Sequence, residues 1–204
     1  FGRGSVADLG DALAGHDCER ALVVCGENVG ANEAVMDPVR DGLGDRLVDV
    51  FAGTSPDKRV ETAYEVVRRV REDDVDALVP VGAGSSLDVA TVATVLHSTG
   101  RPVADIEADV AETGALPALD EAARLPLFPA PTTFAGADLS VAAGISVPDP
   151  DGGRRAAGVV DDRVMSAALV YDPALFETTP ESVLAGSAFN GLDKAVEALY
   201  SAPH

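Results

Sequence analysis

Three times before Val95, a short apolar run gives way to a stretch whose apolar residues recur at helical spacing. The runs are residues 20–25 (RALVVC), 47–51 and 77–81. The first, continuous and β-branched at its centre, has the character of a strand buried on both faces; the other two read as a second and a third strand. Between them, Val35, Met36, Val39 and Leu43 mark one side of a helix over 31–43. Val60, Tyr64, Val67 and Val70 mark one side of another. Such alternation implies an α/β fold: a parallel sheet with helices on both faces.

The third run leads into the most informative stretch, 78–95, LVPVGAGSSLDVATVATV. A strand passes through Gly82-Ala83-Gly84 into a helix. The first turn of a helix has unpaired backbone N–H groups and the positive end of the dipole, which suits a phosphate. Ser85 is placed to cap that helix with Asp88 at its third position, close to a capping box. The same residues also make an ordinary strand–helix turn with no ligand.

The remaining segments are read in the same way. Residues 1–14 turn helical after a glycine-rich start, and 26–30 form a loop. Thr54-Ser55-Pro56 opens the second helix, with Pro56 near its first position. Beyond Gly100, residues 102–106 read as a strand, 108–120 as an acidic loop or short helix, and 125–129 as a short strand. Residues 141–147 alternate, and PDPDGG at 148–153 is a turn. Residues 157–160 and 167–171 read as further strands, forming a hairpin at the sheet edge. Two helices close the chain, one from Pro180 and one over 188–200.

The 204 residues allow one large domain, or one with part of another. With 47% hydrophobic residues but only 4% aromatics and no Trp, the core is Val, Leu and Ala. No apolar run approaches the roughly 18 residues of a membrane span, and no signal peptide is visible. The chain opens on Phe1, so a few leading residues are expected to have been removed or to lie outside the sequence shown.

Net charge is −19, from 34 acidic and 15 basic side chains. Lys58 and Lys194 are the only lysines. A dense acidic surface with few lysines predicts a halophilic protein, because the Debye length falls to about 3 Å in molar salt and screens self-repulsion. The circular dichroism of folded protein is expected to be lost between molar and millimolar salt; an unchanged spectrum refutes this. The charge excludes nucleic-acid binding, since no basic patch exists. Cys18 and Cys25 have no nearby His pair and do not form a zinc site; a reduced, cytoplasmic protein is expected. His16 lies near a loop, His97 at a helix end where the dipole favours its cation, and His204 at the terminus. None has the partner of a catalytic dyad, and no G-x-S-x-G stretch supports a serine hydrolase.

Four motifs in order resemble the iron-containing alcohol dehydrogenase superfamily, which includes maleylacetate reductases and glycerol dehydrogenases. They are FGRGSVADLG, TSPDKRVETAYEVVRRVREDDVDALVPVGAGSSLDVAT, PTTFAGADLS and VYDPALFETTP. The third is nearest to maleylacetate reductases. The resemblance implies a Rossmann-like dinucleotide-binding domain over 1–173. It also implies an all-helical domain that begins at 174–204 and continues beyond this chain, in a dehydroquinate synthase-like fold. Gly82, Gly84, Ser85 and Ser86 would hold the cofactor pyrophosphate. Thr132 and Thr133 would contact the cofactor near its phosphates or nicotinamide. Gly26 stands where the family often has an acidic residue on the adenosine ribose, with Glu27 next. Glycine there removes a repulsion against a 2′-phosphate, yet GENVGAN carries no Arg or Lys to hold one, so NAD and NADP both stay open.

The family's iron or zinc is usually held by an Asp, a His four residues on, and two later His. One register places Asp193 and Glu197 at the first two positions and needs a three-residue insertion. The other places Asn190 and Lys194 there and keeps the interval from Asp172-Pro173 unbroken. A protonated lysine has only donors and does not bind a cation. The second register therefore implies a lost metal site and no metal ligand. Lys194 then either replaces the metal's charge and polarises a substrate carbonyl, or is a solvated helix residue.

The resemblance implies an NAD(P)-dependent oxidoreductase for a small alcohol or carbonyl substrate, one that does not bind a membrane and is homo-oligomeric. A cyclising lyase like dehydroquinate synthase and a non-catalytic nucleotide-binding fragment are the alternatives.

Overall fold

The computed structural model describes residues 1–120 and 123–201; His204 lies outside them. The elements, in chain order, begin with α1 (Leu9–Ala14), β1 (Ala21–Gly26), α2 (Glu27–Gly30) and α3 (Glu33–Leu43). Next come β2 (Leu47–Thr54), α4 (Val60–Glu72), β3 (Ala77–Gly82), α5 (Gly84–Ser98) and α6 (Val103–Thr113). The chain continues through β4 (Ala130–Pro131), β5 (Ala142–Pro148), β6 (Arg154–Val160), α7 (Pro173–Phe176) and α8 (Glu181–Ser201).

The first four strands pair in the order β2-β1-β3-β4, all parallel. Side chains alternate across a strand, so each strand feeds two cores. Leu22, Val24 and Leu78 face a cluster built with α4, α5 and α6. Ala21, Val23, Cys25, Val79 and Val81 face a second cluster with α1 and α3. The sheet is thus sandwiched between helical layers, the Rossmann-like arrangement expected from the alternation.

Each helix shows the period its place requires. In α4, Val60, Ala63, Tyr64, Val67 and Val70 are buried and Arg68 and Arg69 point outward to pair with Glu107 and Asp49. α5 is buried nearly all round, as befits the central helix. Its Thr94 hydroxyl donates to the Leu125 carbonyl (2.8 Å) and accepts from the Leu125 amide (2.9 Å), so burial leaves no orphan there. Burial pushes the Cys25 thiol up to about 11, and both cysteines are free and buried. Among the described residues no helix is long and apolar enough to cross a membrane.

Several local expectations give way. Residues 103–106 are helical: Val103, Ile106 and Val110 fall on one buried face of α6, and Pro102 stands just outside its first turn. The second helix starts at Val60 rather than Thr54, because β2 runs on to Thr54 and Lys58 has φ +45°, which no helix accommodates. Residues 26–30 contain one helical turn, α2. The strand foreseen at 125–129 is reduced to a bridge between Leu127 and Leu78, followed by the two-residue β4. Residues 167–171 lie outside any strand; only the Ala167 and Val170 amides reach that segment, at the carbonyls of Leu127 and Pro129. The hairpin therefore forms from β5 and β6 as a separate two-stranded sheet. The two closing helices are one, α8, since no breaker separates Gly186 from Ala188.

His97 also departs from expectation. It sits in the last turn of α5, where its Nδ1 is buried without a hydrogen-bond partner. Burial first, and then the nearby Arg71, lower its pKa from 6.5. The dipole's preference for a cation is outweighed by desolvation. The unfolded chain takes up this proton near the ordinary pKa of 6.5, whereas the folded chain takes it up only at lower pH. Stability is therefore expected to fall as pH drops through 6.5 towards the folded value. Urea denaturation at pH 7 and pH 5 checks this: His97→Phe should lose less stability over that interval than the parent.

Candidate functional site

Three clefts meet at the turn between β3 and α5, and Ala83 lines all of them. The largest, about 710 Å³, lies between the first turn of α5, the hairpin and α8. Gly84, Ser85, Lys58, Asp88, Asn190 and Lys194 are among its walls. A second, about 330 Å³, runs past Gly26, Glu27, Thr54 and Ser86 at the carboxyl ends of β1 and β2. A third, about 260 Å³, contains Thr132, Thr133, Thr179 and Val183. The carboxyl ends of parallel strands are where open α/β sheets bind ligands.

The backbone at the turn is specified closely. Gly82 has φ +124°, a conformation that L side chains rarely adopt, and its carbonyl accepts the Thr132 amide (3.0 Å). This bond aligns β3 with the 132–139 segment. Gly84 differs: a Cβ there would meet only Ala137 and Ala135 side chains, at 3.5 and 3.9 Å. The protein's own packing does not demand a glycine at 84, so the missing side chain leaves room beside the first-turn amides. The expected cap is absent. Ala83 is the N-cap without a side-chain bond, and the Asp88 carboxylate instead accepts from Lys58 Nζ at 2.8 Å.

Ser85 lines the two larger clefts. Ser86 is 2% exposed, and its hydroxyl pairs with Thr54 Oγ1 at 2.8 Å, pinning α5 to the end of β2. Thr132 and Thr133 are buried at the end of β4, and the Thr132 carbonyl accepts from Thr179 Oγ1 at 2.9 Å. Gly26 ends β1; a Cβ there would stand 3.1 Å from the Thr54 carbonyl, so β1 and β2 approach closely. Glu27 follows it, exposed at the mouth of the second cleft.

The segment 134–139 closes over the turn. The Tyr171 hydroxyl donates to the buried Asp138 carboxylate. Burial, and then that carboxylate, hold the Tyr171 pKa well above its ordinary value, so it stays a neutral donor. α8 is attached on the other side: Ser187 Oγ accepts from the Phe134 amide (3.1 Å), and Asn190 Nδ2 reaches the Ala135 carbonyl (3.5 Å). These contacts bring Asn190 and Lys194 to the largest cleft, whereas Asp193 and Glu197 are not among its walls. The two side chains at the cleft do not fit a divalent cation, since a protonated lysine offers no lone pair. Among the described residues no three His, Cys, Asp or Glu gather as a metal site.

Sequence reasoning assigned Lys58 no role. Its scarcity was the available signal: both lysines of the chain line one cleft.

The comparisons with known proteins agree with this geometry. The family model described as iron-containing alcohol dehydrogenase matches residues 1–173. Maleylacetate reductase 1 of Cupriavidus pinatubonensis is 26% identical over 202 residues, which is 99% of this chain and 48% of that protein. The sulfoacetaldehyde reductase of Bifidobacterium kashiwanohense, solved with NAD+, superposes with a TM-score of 0.82 at 21% identity. That match covers 98% of this chain and 51% of the other. The NADH-dependent butanol dehydrogenase A of Thermotoga maritima superposes with a TM-score of 0.78 at 22% identity, over 97% of this chain and 48% of its own. At these identities the two structures establish the fold. The chain spans about half the length of the relatives it matches. With the glycine turn, the 132–139 segment and the strand order all in place, the chain belongs to the iron-containing alcohol dehydrogenase family.

Proposed function

We propose that this chain carries the dinucleotide site of an NAD(P)-dependent oxidoreductase, one that moves a hydride between nicotinamide and an alcohol or carbonyl carbon. The observation that carries the reading is the room left at Gly84, where three clefts meet at the first-turn amides of α5. Those amides and the helix dipole suit a pyrophosphate. Glu27, exposed beside Gly26 at the end of β1, favours NAD: a carboxylate there accepts from a ribose hydroxyl and repels a 2′-phosphate.

The cofactor supplies the hydride, and the protein supplies position and charge. As a carbonyl is reduced, its oxygen gains negative charge. The Lys194 ammonium, held at the cleft by α8, stabilises that charge by donating a hydrogen bond. This reading needs no metal at Asn190 and Lys194. It extends to a small alcohol or carbonyl substrate, a cytoplasmic homo-oligomer adapted to salt, and a helical domain that begins after Pro173.

A fluorescence titration with NADH and NADPH in molar salt tests it. Saturable binding, tighter for NADH, is expected; binding of neither overturns the reading.

A further inference from the structure

We propose that Lys58 is a cofactor-binding residue, aimed by Asp88, whose ammonium contacts the pyrophosphate of the dinucleotide; this rests on the reading above. In a chain of net charge −19, the largest cleft is the exception. Its charged walls are Lys58, Lys194 and Asp88, two cations against one anion. A dinucleotide brings two negative phosphates to this surface, and an uncompensated Asp88 there would repel them.

The placement of Lys58 is over-determined. Its carbonyl accepts the Ser146 amide at 2.8 Å, which ties the loop after β2 to the hairpin. Its Nζ donates to Asp88 Oδ2 at 2.8 Å, which ties the same loop to α5. Its backbone has φ +45°, uncommon for a residue other than glycine and held here by those two attachments. Asp88 lies one helical turn beyond Gly84 and Ser85, a rise of about 5.4 Å. Lys58, Gly84 and Ser85 all line the one cleft, so a diphosphate there faces both the ammonium and the first turn of α5. It has three donors and gives one to Asp88, so further donors remain for a phosphate oxygen. The lysine side chain is 36% exposed and reaches the cleft without being removed from it.

The experiment compares the parent chain with Lys58→Met and Lys58→Arg in moderate salt, with circular dichroism as a folding control. Affinities for NADH, ADP and adenosine are measured by direct titration and by displacement. Lys58→Met is expected to weaken NADH and ADP at least about tenfold while leaving adenosine, which has no phosphate, unchanged. Lys58→Arg should recover most of the loss. Unchanged ADP affinity in Lys58→Met overturns the proposal, and so does an equal loss for adenosine. If the parent binds NADH and only the variants fail these expectations, Lys58 alone is misassigned. If the parent binds neither NADH nor ADP, the dinucleotide reading falls and takes this proposal with it.

Discussion

Replacing Lys194 by alanine is expected to lower kcat for carbonyl reduction by about 10²–10³-fold, the usual effect of deleting one donor to a developing oxyanion. Affinity for NADH should change less than in Lys58→Met, because Lys194 lies on α8 and the proposed pyrophosphate contacts lie on α5 and the loop after β2. Stability should also change little, within about 0.5 kcal/mol, since the side chain is exposed. The measurement is steady-state NADH oxidation with an aldehyde. Turnover equal to the parent's would remove Lys194 from the mechanism and return it to the status of a solvated helix residue.

The second large effect separates two glycines that look alike in the sequence. Valine at Gly84 would project a side chain towards the Ala135–Ala137 segment, where an added Cβ makes only ordinary contacts. NADH affinity should fall at least about tenfold, or 1.4 kcal/mol. The cost to the fold should be smaller than at Gly82, because the backbone at Gly84 has no positive φ and an added Cβ meets only ordinary contacts. Valine at Gly82 should do the opposite. With φ +124°, any side chain is strained, at a cost of about 1–3 kcal/mol. In a chain of this size that lowers Tm by about 2–4 °C per kcal/mol. Thermal melts with and without NADH distinguish the two. Equal destabilisation by both substitutions would mean that Gly84 serves packing and not a ligand.

The strands of the main sheet were legible because burial on both faces leaves a local mark: uninterrupted apolar runs at 20–25 and 77–81. The long amphipathic helices were legible for the same reason, since one buried face imposes the helical period. Where local signals were short, the tertiary structure overrode them. Residues 102–106 hold too few apolar positions to separate a strand from a helix, and the burial of Val103, Ile106 and Val110 together decides for the helix. Residues 167–171 have strand-like composition but find no adjacent strand edge to pair with along their length. Asp88 had the spacing of a cap, yet an ammonium from thirty residues earlier offered it a stronger, charge-assisted partner.

The candidate site divides along the same line. Sequence alone determined the alternation of strands and helices up to Val95, the glycine turn, the family and the acidic character of the chain. Each of these is written in residues adjacent along the backbone or in overall composition. Only the tertiary structure decided which glycine is required by its own backbone and which leaves room. It also turned Ser86 inward to Thr54, and brought Lys194 rather than Asp193 to the cleft. Above all it carried Lys58 onto Asp88, one turn into α5. Those are contacts between segments far apart in the chain, and no local propensity encodes which side chain will face which.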